Sequence, residues 1–232
     1  MSLEIIYEDN HLIAVNKPAG LVVQENEHGL PSLEEKVKAY IKKKYNKPGA
    51  VFLGCIHRLD TAVTGLVLFA RTSKALVRMN EQFKNRAVEK TYAALIRRKP
   101  QPMAGTLIHY LKKDTNQNKT KLYHEQVKDS KRAELSYEFI NTANHCFLVK
   151  VKPVTGRPHQ IRVQLARTFT GIVGDVKYGQ TKPTKDKSIY LHALGLSFYH
   201  PVTKEKLNLH APMPKFGNWN FFKDIEKNLL RE

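Results

Sequence analysis

Ala133-Glu134-Leu135-Ser136-Tyr137-Glu138-Phe139 and Phe147-Leu148-Val149-Lys150-Val151-Lys152 are the stretches that decide the fold class. In the first, Leu135, Tyr137 and Phe139 alternate with Glu134, Ser136 and Glu138, the period of a strand with one buried face. In the second, Phe147, Val149 and Val151 alternate with Leu148, Lys150 and Lys152. The link Asn141-Thr142-Ala143-Asn144 is rich in turn formers, so the pair predicts an antiparallel hairpin.

Working outward, Leu12 to Val15 reads as a strand that runs into a turn built on Pro18 and Gly20. Ser32 and Glu35 form a capping box, and Leu33, Val37, Tyr40 and Ile41 recur at helical spacing. Asn46-Lys47-Pro48-Gly49 marks that helix's end. Leu66 to Ala70 is a short apolar run suited to a buried strand, entered through a turn at Thr64 and Gly65. A second helix begins near Ser73, with Leu76, Met79 and Phe83 inward. Tyr92 to Ile96, Leu191 to Tyr199 and Lys206 to His210 are further strands. Pro158 can open a short helix from His159 to Arg167, and a last helix lies near Asn220 to Leu229. Strands, hairpin links and irregularly spaced helices favour an α+β fold over a doubly wound parallel sheet. The expectation is a mostly antiparallel mixed sheet flanked by helices and loops, in one domain spanning 1–232.

The chain has 232 residues and a formal net charge of +18, from 39 Lys and Arg against 21 Asp and Glu. A surplus of that size calls for a polyanionic partner. Two segments concentrate it: 112–132, with seven Lys and Arg, and 177–187, with four Lys; both read as basic loops that contact phosphates. No apolar run approaches the ~20 residues of a membrane helix. The N-terminus is neither a signal nor a transit peptide. Cys55 and Cys146 show no CxxC spacing, so neither a disulfide framework nor a cysteine zinc site follows. These features lead to the expectation of a cytoplasmic protein with no membrane association and no obligate protein partner.

Three segments hold more polar chemistry than packing requires. Gly54-Cys55-Ile56-His57-Arg58-Leu59-Asp60 sets an imidazole, a cation and an acid ahead of a buried strand. Glu89-Lys90-Thr91-Tyr92 leads into another strand. In Gly156-Arg157-Pro158-His159-Gln160-Ile161-Arg162, helical geometry puts Arg162 on the face of Pro158 and Ala166, with Ile161 and Leu165 inward. A half-buried arginine needs an anion, and Asp60 is the candidate. Asp175 reads as a turn cap, and His57 is balanced between a structural hydrogen bond and contact with the polyanionic partner.

These segments carry a resemblance. Asn10 to Gly20, His57-Arg58-Leu59-Asp60 and Gly156 to Val163 resemble the RluA family of RNA pseudouridine synthases, and Gly174 to Gly179, Leu191-His192-Ala193 and His200-Pro201 continue the likeness in order. It implies a pseudouridine synthase-like fold with a central active cleft and isomerisation of uridine in structured RNA, either tRNA or large-subunit rRNA. It further implies Asp60 as catalytic carboxylate, with Arg58, Tyr92 and Arg162 binding substrate. Arg58 would fill the hole left by an extruded nucleotide, Tyr92 would stack on the target base, and Arg162 would pair with Asp60. No metal or other cofactor is expected, since the reaction is redox-neutral. The chain departs from the family in having Thr61 where an arginine is common and Gln164 where histidine is common. With four residues before Ile5, the expectation is a catalytic domain without the S4 domain many relatives carry.

Two other readings compete. A metal-dependent hydrolase could use scattered residues such as His57, His159, His192 and Asp175, but none has ligand spacing. A catalytically silent RNA-binding module would keep the basic segments and have no use for an acid beside an arginine.

Overall fold

A computed structural model of the chain describes residues 3–24 and 32–229. They divide into two compact units, one formed by residues up to Val88 with Ala193–Pro212, the other by Glu89–His192 with the segment from Met213. The α+β class expected from the sequence is what both units display.

In the first unit, β1 (Glu4–Glu8), β2 (Leu12–Lys17), β4 (Thr64–Ala70) and β10 (Leu191–Tyr199, counted here from Ala193) lie in that order, with β3 (Gly54–Cys55) on β4 and β11 (Lys206–His210) on β10. β1 with β2, β2 with β4, β3 with β4 and β10 with β11 pair antiparallel. Every residue of β4 is buried, which is why its sequence is a continuous apolar run without alternation. Leu12, Ala14, Leu66 and Leu68 share one face and pack with Ala75 and Met79 of α2 (Ser73–Lys84) and with Phe198 and Leu209. Leu76 and Phe83, expected inward, pack at the rim of this cluster, partly buried. Ile13, Val15 and Lys17 occupy the opposite face of β2, all fully buried. The capping box of α1 (Leu33–Lys44) forms as read: the Glu35 amide donates to Ser32 Oγ at 3.2 Å, and the Ser32 amide to Glu35 Oε2 at 2.8 Å.

In the second unit the order is β5 (Glu89–Ile96), β9 (Cys146–Pro153), β8 (Lys131–Ala143), β6 (Ala104–Asp114), β7 (Lys119–Tyr123), each neighbouring pair antiparallel. The β8–β9 hairpin is as expected, but its strands run further into the link. Ala143 pairs with Cys146, and the turn is made by Asn144 and His145, at φ 47° and 54°. Two successive left-handed residues are what a two-residue hairpin turn requires. Segment 112–132 is not a loop. Apart from Lys128, which lies in the turn between β7 and β8, its lysines sit on the paired strands β6 and β7 and at the start of β8, where alternating charged and apolar residues make a half-exposed sheet. Segment 177–187 does stay outside regular strands, beginning within a short 3-10 turn at Val176–Tyr178.

Three further expectations are corrected. Pro158 does not open its helix: His159, at φ 52°, is the N-cap of α3 (Gln160–Thr168), so Pro158 precedes it. The last helix begins as a 3-10 segment, Gly217–Ile225, which buries Trp219 and Phe222, and only Glu226–Leu229 (α4) is α-helical. Thr64 and Gly65 belong to β4 rather than to a turn. Gly65 stands at φ 117°, and a Cβ there would lie 2.6 Å from the Ala193 amide nitrogen and closer still to its carbonyl oxygen. The glycine therefore answers to a close backbone approach.

Gly65→Ala should cost roughly 2–5 kcal/mol, from left-handed strain plus overpacking. Gly49→Ala, where nothing lies within 4 Å, should stay within ~0.5 kcal/mol of the parent. Urea unfolding of both variants checks this, and equal losses would contradict it.

Candidate active site

Asp60 lies on the irregular segment between β3 and β4, and that segment is pinned from several sides. β3 pairs only through Gly54 and Cys55, after which the His57 ring takes over the ladder: Nε2 accepts from the Leu68 amide at 3.1 Å. That bond requires an unprotonated Nε2. The ring also stacks on Phe83, centroids 5.3 Å apart. His57 thus has the structural hydrogen bond that was one of its two readings. Leu59 is buried, the Val63 amide donates to the Asp60 carbonyl at 3.0 Å, and the Gly20 amide donates to the Thr61 carbonyl at 2.8 Å. Asp60 itself is half-buried, and Arg58 is exposed beside it. A fixed carboxylate next to a solvent-facing cation is able to meet a polyanion and act on it.

The sequence reading gave Lys17 no role, and the structure does. Its side chain is fully buried at the end of β2, and Nζ donates to the carbonyls of Pro18, Leu21 and Thr61 at 2.9, 2.8 and 3.1 Å. One ammonium therefore ties the Pro18–Leu21 turn to the residue following Asp60. Burial pushes the Lys17 pKa down to about 7, and the Asp60 charge acts in the opposite direction. The available signal was a lysine ending an apolar strand just before a Pro-Ala-Gly turn.

In the second unit, Tyr92 is on β5 opposite Val151 and is half-buried. Arg162 on α3 is buried, and its Nε and Nη2 donate to the two carboxylate oxygens of Asp175 at 2.7 and 2.8 Å. The anion that a buried arginine demands is thus supplied by Asp175. Asp175 precedes the 3-10 turn but makes no side-chain cap, so its reading as a turn cap is corrected: the carboxylate is drawn to the guanidinium fork, the stronger partner. The Arg162 guanidinium also lies 5.1 Å from the Tyr178 ring centroid. The Tyr178 hydroxyl accepts from the Thr120 amide at 2.8 Å and meets His159 Nδ1 at 2.7 Å, while Thr120 Oγ1 donates to the Pro158 carbonyl at 2.9 Å. Burial raises the Tyr178 pKa. Arg162, Asp175, Tyr178 and His159 thus lock α3, the 3-10 turn and β7 together. Sequence reasoning missed this knot, although Asp175 and Tyr178 stood three apart within a segment already singled out.

Gln164 is fully buried, its Nε2 donating to the Leu107 carbonyl at 3.2 Å and meeting His109 Nδ1 at 3.0 Å. Among the described residues no group of three or more His, Cys, Asp or Glu is gathered so that it could hold a metal ion. No helix among them is long and apolar enough to cross a membrane.

A family model described as RNA pseudouridylate synthase matches residues 11–167. A Rickettsia bellii protein named ribosomal large subunit pseudouridine synthase C is 34% identical over 221 residues, which cover 92% of this chain and 69% of that protein. A Salmonella typhi protein of the same name is 32% identical over 219 residues, covering 91% and 66% respectively. The solved structure of human RNA pseudouridylate synthase domain containing 4 superposes with a TM-score of 0.76, covering 98% of this chain and 92% of that one. Its sequence identity is 24%, so the likeness speaks for the fold alone.

Two predictions follow from the buried cations. Unfolded, Lys17 titrates near ~10.4; folded, near about 7. Between those values the unfolded chain binds the extra proton, so this group makes stability rise with pH from about 7 towards about 10. Lys17→Met should flatten that part of the profile, read as the change in urea midpoint between neutral and alkaline buffer. An unaltered slope would contradict it. Arg162→Ala and Asp175→Asn should each destabilise by ~3–5 kcal/mol, because each strands a buried partner. Replacing both residues by apolar ones should cost less than the sum of the single losses, and a calorimetric double-mutant cycle checks that.

Proposed function

The chain belongs to the RNA pseudouridylate synthase family, and from that premise we propose that it isomerises uridine to pseudouridine in large-subunit ribosomal or transfer RNA, with Asp60 as the catalytic carboxylate. The observation carrying the proposal is that the family match over 11–167 takes in Asp60, Tyr92 and Arg162, the residues the sequence reading had singled out. The whole chain, 1–232, is read as a single catalytic domain.

In the reaction, the bond from the sugar's anomeric carbon to N1 of uracil breaks, and a bond to C5 forms. N1 gains a proton and C5 loses one, so the atoms balance without oxidant, energy source or metal. An electron-poor anomeric carbon needs a carboxylate beside it, as nucleophile or as electrostatic partner. The detached uracil leaves as a delocalised anion, so a second carboxylic acid is not required. The base must then be kept and turned, which suits an aromatic platform such as Tyr92. Arg58, exposed next to the acid, is assigned to the gap left by a flipped nucleotide or to a phosphate, and its exposure supports that reading. Arg162, its guanidinium held by Asp175, is assigned to substrate binding. Its fork geometry makes lysine a poor replacement.

The +18 charge supports a polyanionic substrate, and affinity should fall steeply with salt. The names of the curated relatives support the large ribosomal subunit as the first RNA to examine. Action on such RNA supports a cytoplasmic location. Thr61, where relatives often carry arginine, is the position at which RNA choice would depart from theirs.

Pseudouridine maps of total RNA from cells with and without this protein provide the test. One uridine, or a few, should lose the modification in its absence and regain it when the wild-type protein is restored. Identical maps in ribosomal and transfer RNA would overturn the proposal.

A further inference from the structure

We propose that the water-facing side of β6, β7 and β8 is a second RNA contact, holding a single-stranded segment by stacking on Tyr110 and Tyr123 and by phosphate contacts to Lys112, Lys121 and Arg132. It rests on the reading that RNA is the substrate and adds a surface that the isomerisation does not use.

The strand register identifies the surface. Leu107, His109 and Leu111 of β6 are buried, and Leu111 packs with Ala133 and with Val163 of α3. The alternate residues Ile108, Tyr110 and Lys112 therefore face the other way. Cross-strand partners share a face, so Tyr110 is flanked on that side by Tyr123 of β7 and Arg132 of β8, and Lys112 lies opposite Lys121. Both tyrosines are half-buried, and Ile108 is 48% exposed next to them. Two aromatic rings side by side, ringed by three cations on an open sheet, combine stacking and charge in the way that sequence-tolerant single-strand binders do.

The charges on this face are not explained by folding. Lys112 and Lys121 directly oppose one another, an arrangement that destabilises a sheet. Lys112 pairs with Asp129 at 3.2 Å and also donates to the Lys128 carbonyl at 3.2 Å, and Lys121 pairs with Asp114 at 3.1 Å, all near water. Arg132 meets Glu134 at 2.5 Å, again near water. Such pairs contribute little to stability and yield readily to a phosphate. Residues 110–134 hold seven Lys and Arg against four Asp and Glu, so the strip stays cationic with all the acids ionised.

The surface is distinct from the one bearing Tyr92. Tyr92 pairs with Val151, Val151 with Tyr137, and Tyr137 with Gly105. Gly105 is in the row of Leu107 and Leu111, so Tyr92 shares the face covered by α3 and Tyr110 points from the opposite one. An RNA engaged at Tyr92 would need a flanking strand to pass around the β6–β7 edge to reach the tyrosine pair. The occupant is therefore a single-stranded tail or loop.

The test uses the full chain and an oligoadenylate of about 12 nucleotides, a length matched to single-strand sites, which offers no uridine for isomerisation. Tyr110→Val with Tyr123→Val keeps strand-forming residues but removes the rings, and should weaken binding at least about tenfold. Tyr110→Phe with Tyr123→Phe should bind like wild type. Lys112→Ala with Lys121→Ala should reduce the slope of log affinity against log salt by ~1.4. Ultraviolet crosslinks should map to Tyr110 or Tyr123. The proposal is overturned if the valine pair binds like wild type, or if polyglutamate binds as well as oligoadenylate and ignores the tyrosine changes. Isomerisation of a uridine-containing transcript is scored separately. Its failure with oligoadenylate binding intact would count against the proposed reaction and leave this surface standing.

Discussion

The Lys17 ammonium, sealed from water and bonded to three carbonyls, is the constraint on which the Asp60 region depends. Residues 56–63 contribute to no helix or strand, so nothing regular holds the carboxylate in place. What holds it is a polar arrangement between two irregular segments: Lys17 bridging to Thr61, the Gly20 amide on the same carbonyl, and the His57 ring finishing the β4 ladder. A buried charge is costly, and here the cost is offset by the three converging carbonyls and by the Asp60 charge. Such an arrangement tolerates little displacement, which suits the catalytic role proposed for Asp60.

The second unit solves a related problem with an arginine. Arg162 is buried on α3, and its fork engages both oxygens of Asp175, while Tyr178 lies against the guanidinium and reaches Thr120 and His159. Helix, turn and hairpin are joined through polar contacts as well as through the small apolar cluster of Leu111, Ala133 and Val163. Each unit thus devotes a buried cation to positioning. The surplus of positive charge that remains on the surface is free to meet RNA phosphates.

Much of this was legible in the sequence because it rests on local periodicity. The capping box at Ser32 and Glu35, the alternation through β8 and the bounds of β10 and β11 need only neighbouring residues to be read. Asp60 and Arg162 stood out because polar residues clustered where packing did not ask for them, and the family resemblance added Arg58 and Tyr92. What escaped were long-range choices. Lysines on β6 and β7 look like those of a solvated loop until the strands are paired. Gly65 looks like a turn residue until Ala193 approaches it. Asp175 looks like a cap until a guanidinium 13 positions earlier claims it. Lys17 looks exposed by type, and only the convergence of Pro18, Leu21 and Thr61 shows why it is buried.

The role assigned to Asp60 can be tested most directly with RNA transcripts carrying tritium at C5 of uridine, because moving the glycosidic bond to that carbon expels the label into water. Wild-type protein should release tritium in step with pseudouridine formed, and Asp60→Asn should release none while binding the same RNA with unchanged affinity. Release by Asp60→Asn at the wild-type rate would contradict the assignment.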